Sequence, residues 1–167
     1  MLVLRCTQKL LTELKLPKDE LGDPADGFLG SWFAHLFRLE RRKCVLFTNS
    51  QTLYCVLLFG LLKYDFERLP LRFVDALTAN LEQEGIPAEA VARLRWACHP
   101  VTWGPTNNRS VLGSANEYIQ LLKHRSQFAP LESPQNAAEL SARLNRTPMS
   151  ALPDVFPIDA ISAALHA

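Results

Sequence analysis

Lys43-Cys44-Val45-Leu46-Phe47-Thr48-Asn49-Ser50-Gln51-Thr52-Leu53-Tyr54-Cys55-Val56-Leu57-Leu58-Phe59 is the stretch that decides the fold. Two apolar runs flank a polar triplet, so Lys43 to Thr48 and Thr52 to Phe59 read as strands joined by the short loop Asn49-Ser50-Gln51. The second run does not alternate apolar with polar. A strand apolar on both sides is expected in the middle of a sheet, covered on both faces. Upstream, Trp32 to Leu39 fits a helical stripe (Trp32, His35, Leu36, Leu39) and equally one face of a strand (Phe33, His35, Phe37, Leu39). Dense aromatics, and the charged cluster Glu40-Arg41-Arg42 directly after them, favour the strand. Leu2 to Cys6 reads as a further strand beside this meander, with Leu2, Leu4 and Cys6 on one side and Val3 and Arg5 on the other.

Helical spacing takes over elsewhere. Thr7 is the expected N-cap of a short helix from Gln8 to Lys15, which Pro17 stops. Lys18 to Gly30, with three glycines and mostly acidic charge, reads as a surface loop. Asp65 suits the cap of one turn over Phe66 to Leu69. Pro70 suits the first position of a longer helix that ends near Glu84, with Gly85 as its stop, and buries Phe73, Leu77 and Leu81. Pro87 opens another helix with Val91, Leu94 and Cys98 inward. Pro100 to Asn108 reads as an irregular loop holding Trp103. Val111, Leu112, Ala115, Ile119 and Leu122 then give a long amphipathic helix from about Asn108 to Lys123. Beyond Phe128 prolines multiply, with short helices expected over 136–145 and 158–165. The expected fold class is α+β, a small, mainly antiparallel sheet of about four strands in the N-terminal third, packed against C-terminal helices. Residues 1–128 are expected as a single domain, and 129–167 as a proline-rich helical tail that wraps it.

At 167 residues, with 48% hydrophobic and 21% charged side chains, the chain has enough apolar surface for one core. Eighteen basic residues against seventeen acidic ones leave a net charge of +1, so any nucleic acid would have to be held by a local patch. The longest apolar stretch, Leu53 to Leu62, is half the roughly 20 residues a membrane helix needs. No membrane association is expected. The four cysteines form no CxxC pair and lie mostly in apolar runs, as reduced core residues of a cytoplasmic protein do. One hairpin register would set Cys44 opposite Cys55, without implying a disulfide.

Trp32-Phe33-Ala34-His35-Leu36, then Arg41-Arg42-Lys43-Cys44-Val45-Leu46-Phe47-Thr48-Asn49 running on to Thr52, and later Asn108-Arg109-Ser110 before a helix, resemble a family of small uncharacterised bacterial proteins built around a domain of unknown function. The opening Leu4-Arg5-Cys6-Thr7-Gln8-Lys9-Leu10 is similar as well. The resemblance covers roughly the first 125 residues. It implies a fold boundary and no activity.

Signatures of nucleophilic, nucleotide and metal chemistry are missing: no GxSxG, Walker loop, HExxH or dinucleotide fingerprint occurs. The four histidines show no ligand spacing, so no catalytic residue, metal or cofactor is assigned. Two donor-rich segments stand out. Arg41, Arg42 and Lys43 are expected to crowd one edge of the sheet, where guanidinium forks suit phosphate oxygens; alternatively they are a solvated turn guarding that edge. Asn108, Arg109 and Ser110 open a helix whose free N–H groups favour anions, or Asn108 simply caps it. Trp32, His35, Asn49 and Thr52 are secondary candidates. The expected function is a non-enzymatic module that recognises a phosphate-bearing or nucleic-acid ligand, or a protein partner. One alternative is a small hydrolase or transferase with His35 as base, Arg42 and Arg109 holding the anion and Asn49 orienting. Another is a homo-oligomeric subunit docked through its tail.

Overall fold

The computed structural model describes residues 1–127 and 134–167, so the expected start of the tail at 129, with Pro130, lies outside the described residues. The protein is α+β. Five strands form one mixed sheet, β1 (Leu2–Cys6), β2 (Trp32–Leu39), β3 (Arg42–Asn49), β4 (Cys55–Phe59) and β5 (Val101–Pro105), in the spatial order β4-β3-β2-β1-β5. β2, β3 and β4 make the expected antiparallel meander, while β1 runs parallel to both β2 and β5. The helices are α1 (Gln8–Leu14), α2 (Lys63–Glu67), α3 (Leu69–Gln83), α4 (Ala88–Ala97), α5 (Arg109–Ser126), α6 (Pro134–Leu144) and α7 (Pro157–His166).

The two sheet faces bury separate clusters. On the first, Leu4, Trp32, Ala34, Val45, Phe47 and Val56 pack against α3 and α4, with the Trp32 ring edge-on to Phe73 at 5.0 Å and Phe47 stacked on it at 4.2 Å. On the second, Phe37, Cys44, Leu46, Cys55 and Leu57 meet Ala115, Tyr118, Ile119 and Leu122 of α5. Trp32 is therefore core.

Four expectations need correcting. First, β4 lies at the edge of the sheet, not its centre. Two-sided apolarity reports that both faces are covered and carries no information about the in-plane neighbour. Here the neighbours are α6 and Asn145, the residue directly after it, whose side chains bond the free edge: Asn145 Oδ1 accepts from Cys55 N–H at 2.7 Å, Asn145 Nδ2 donates to Cys55 C=O at 2.9 Å, and Ser141 Oγ accepts from Leu57 N–H at 3.0 Å. Second, Pro100–Asn108 is not wholly irregular, because Val101–Pro105 is the parallel strand β5. Third, the loop before β4 runs to Tyr54, with Leu53 at φ 57°, so Cys44 pairs with Phe59 and Cys55 with Thr48. All four cysteines are free and buried; burial pushes the Cys6 thiol up to about 12 and those of Cys44 and Cys98 up to about 11. Fourth, the short turn forms as α2 at Lys63–Glu67, where Asp65 accepts the Leu62 N–H from inside the helix at 2.9 Å. Thr7 stands at the N-cap of α1, but its side chain makes no capping bond.

Candidate functional site

The β2–β3 hairpin closes on the Leu39–Arg42 pair, leaving Glu40 and Arg41 as a two-residue turn with φ of 52° and 67°. Both residues in the left-handed region make this a type I′-like connection, whose twist matches that of the strands. Alternation then separates the cations instead of crowding them on one edge. Arg41 is exposed, and its carbonyl accepts from Arg38 Nη1 at 3.3 Å. Arg42 projects with Cys44 and Leu46, its guanidinium 5.4 Å from the Phe59 ring centroid. Lys43 projects to the opposite face with Val45 and Phe47. Its Nζ lies 2.5 Å from Glu13 and 5.8 Å from the Phe66 ring centre.

A cleft opens beside Lys43 because β1 is shorter than β2. β1 ends at Cys6, level with Ala34, while β2 continues to Leu39. The Asn49 N–H to Tyr54 C=O bond fixes which β3 residues turn towards β4. By alternation, Leu36 and Arg38 then turn their peptide groups into the space that β1 has vacated. Thr7 N–H bonds Ala34 C=O one step earlier, and α1 follows. The result is a cavity of about 270 Å³ lined by Lys9, Thr12, Glu13, Leu36, Arg38 and Lys43. Three cations face one carboxylate, so two positive charges are left over. Thr12 Oγ1 donates to Gln8 C=O, so the donors available to a ligand are the three cations and the exposed strand edge. The cleft sits at the carboxyl end of β1, where open α/β sheets commonly bind ligands.

The other expected residues lie elsewhere. Asn108 caps α5, its Oδ1 accepting from Ser110 N–H at 3.0 Å and Val111 N–H at 3.1 Å, while Arg109 and Ser110 are exposed. Asn49 is fully buried and pins the β3–β4 loop: Oδ1 accepts from Gln51 N–H, Thr52 N–H and Thr52 Oγ1, and Nδ2 donates to Leu29 C=O at 2.8 Å. Seven strand steps separate Asn49 from Arg42, about 23 Å at about 3.3 Å per residue. His35 faces α5 with its Nδ1 buried and unpartnered; burial, then Lys123 and Lys9, lower its pKa below 6.5. His35, Arg42 and Asn49 therefore do not gather around one reacting atom.

Sequence reasoning missed Lys9 and Arg38, whose signal was only a cation on each of two elements flanking a strand end. It also missed Arg5, the most enclosed charge among the described residues at 4% exposure. Its Nη2 donates to Pro24 C=O at 2.6 Å, Nη1 to Asp23 at 3.3 Å and Pro105 C=O at 3.4 Å, and Nε to Ser31 Oγ at 3.2 Å. Ser31 Oγ in turn donates to Asp26 at 2.5 Å. This network ties the acidic loop to β1 and β5. An arginine alternating within an otherwise apolar strand, followed by Asp23-Pro24-Ala25-Asp26, was the available signal. Among the described residues, no group of three or more His, Cys, Asp or Glu side chains is arranged to hold a metal ion, and no helix is long and apolar enough to cross a membrane.

Residues 3–160 match the family described as Domain of unknown function (DUF6933). The chain belongs to this family. No curated protein and no solved structure matches it. The match runs past α6 to the start of α7, so the DUF6933 domain takes in the cleft, the Arg5 network and the α6 cover of β4 alike.

Proposed function

We propose that this DUF6933 domain is a binding module for a small phosphate-bearing ligand, held in the cleft between α1 and the β2–β3 hairpin. The observation that carries this reading is the convergence of Lys9, Arg38 and Lys43 on a bare strand edge against a single carboxylate. Two surplus positive charges complement a phosphate monoester, which carries between one and a half and two negative charges near neutral pH. A cavity of this size suits one such group rather than a length of polymer. Lys43 supplies a positioned charge because its ammonium is held between the Phe66 ring and the Glu13 carboxylate. Arg41 lies in the turn beyond the cleft and Arg42 on the opposite sheet face, so neither they nor Asn108, Arg109 and Ser110 take part. Binding without chemistry is favoured because no nucleophile–base pair faces the cleft. Four buried thiols fit a reducing, cytoplasmic setting.

The test is a titration of the ¹⁵N-labelled protein with inorganic phosphate and a phosphomonoester at two salt concentrations. Binding should shift the Leu36 and Arg38 amide signals. Lys9→Ala with Lys43→Met should weaken it at least tenfold, and Glu13→Gln should strengthen it. The proposal is overturned if neither anion moves those signals at millimolar concentration. A short oligonucleotide that binds far more tightly than either anion would replace it with a nucleic-acid reading.

A further inference from the structure

The α6 cover of β4 has a regular geometry that stops one step short. Alternation along β4 turns the peptide groups of Cys55, Leu57 and Phe59 away from β3, towards α6. Cys55 is bonded by Asn145 and Leu57 by Ser141, four residues earlier on the helix. Four helical residues rise about 6 Å and two strand residues about 6.7 Å, so each step of four on α6 meets a step of two on β4. The third step pairs Phe59 with Ala137, whose methyl offers no hydrogen bond.

Beside that open position lies a cavity of about 340 Å³, lined by Phe59, Ala137, Asn80, Gln83, Asp75 and Arg72 among others. Its two charged groups are already matched outside it: Arg72 with Asp65 at 3.3 Å and Asp75 with Arg95 at 3.0 Å. The cavity is thus electrically balanced, mostly apolar, and provided with one strand-edge N–H and one C=O side by side. Asn80 and Gln83 add neutral amides from α3.

We propose that this cavity binds a neutral ligand bearing a carboxamide, which bonds the Phe59 peptide as Asn145 bonds that of Cys55. The ligand oxygen accepts from the Phe59 N–H and its NH₂ donates to the Phe59 C=O, with the apolar remainder lying against Ala76 and Ala79 of α3. A carboxylate of the same shape lacks the donor and sets a negative charge against that carbonyl. The site is separate from the cationic cleft and does not depend on it. Its size is near the lower end for small-molecule pockets.

Benzamide and benzoate are the probes, added to the ¹⁵N-labelled full chain. Benzamide should shift the Phe59 amide signal saturably, and benzoate at least tenfold more weakly. Ala137→Asn supplies the missing rung from the helix itself and should abolish the benzamide response while raising Tm. Ala79→Leu, at an exposed position, should block the cavity without touching the rung and weaken benzamide at least tenfold. If Phe59 does not respond to benzamide in the parent, or responds equally in a folded Ala79→Leu variant, the proposal is wrong.

Discussion

The carboxamide of Asn145 pairs with both peptide groups of Cys55, at 2.7 and 2.9 Å, across ninety residues of sequence. A side chain here does what an adjacent strand would do. Replacing Asn145 by alanine strands a buried N–H and a buried C=O together. The expected loss is about 2–4 kcal/mol, at about 1–3 kcal/mol for each unsatisfied buried group after partial relaxation. Urea denaturation followed by circular dichroism reads it, and a loss below about 0.5 kcal/mol would show that water replaces the amide without cost. Ser141→Ala, which removes one acceptor, should cost less than half as much.

Arg5 is buried while its ionic partner Asp23 is 87% exposed, so the guanidinium depends mainly on the Pro24, Pro105 and Ser31 oxygens. Arg5→Met keeps the volume and leaves those oxygens bare. It should lower stability by about 1–3 kcal/mol, the cost of enclosed oxygens left without a donor. It should also make the Asp23–Gly27 loop cleavable by protease under native conditions. Unchanged proteolysis would mean that the loop is held by other contacts, such as the paired Gly27 and Gly30 peptides.

Glu40 and Arg41 both carry positive φ in a turn that favours asparagine and glycine. Arg41→Gly should therefore raise stability by about 0.5–1 kcal/mol, since it relieves a left-handed side-chain residue. The gain should be independent of salt; a strongly salt-dependent change would trace to lost charge instead.

His35 is held neutral by burial, with Lys123 and Lys9 adding to the effect. Its folded pKa lies below the ordinary 6.5, so below that pH the unfolded chain binds the extra proton. Stability should fall as pH drops from 6.5 towards the folded value and be retained above 6.5. In His35→Phe this slope should flatten relative to the parent, as thermal unfolding between pH 5 and 7.5 would reveal. Equal slopes in the two proteins would show that His35 does not carry the effect.

Much of the fold is legible in the chain because local spacing sets it. The strand over Lys43 to Thr48, the Phe73–Leu77–Leu81 stripe and the glycine stop at Gly85 all resolve as read. β5 is not legible, since Val101–Pro105 is bounded by prolines and gains strand geometry only by pairing with Leu2–Cys6, about a hundred residues away. The place of β4 at the edge is hidden for a related reason: its cover is a helix whose Ser141 and Asn145 look like ordinary polar residues. The cleft was half visible. Lys43 belongs to a basic run that draws attention, but strand alternation divides that run between two faces, and Lys9 and Arg38 join Lys43 only because β1 stops early.

The distance in sequence between Cys55 and Asn145 also has a temporal meaning. A chain emerging from the ribosome completes its hairpin long before the helix that seals it, so for the synthesis of about ninety residues the bare flank of β4 is open to other strands. Truncated products that end before α6 should therefore clump, whereas the finished chain closes its own seam.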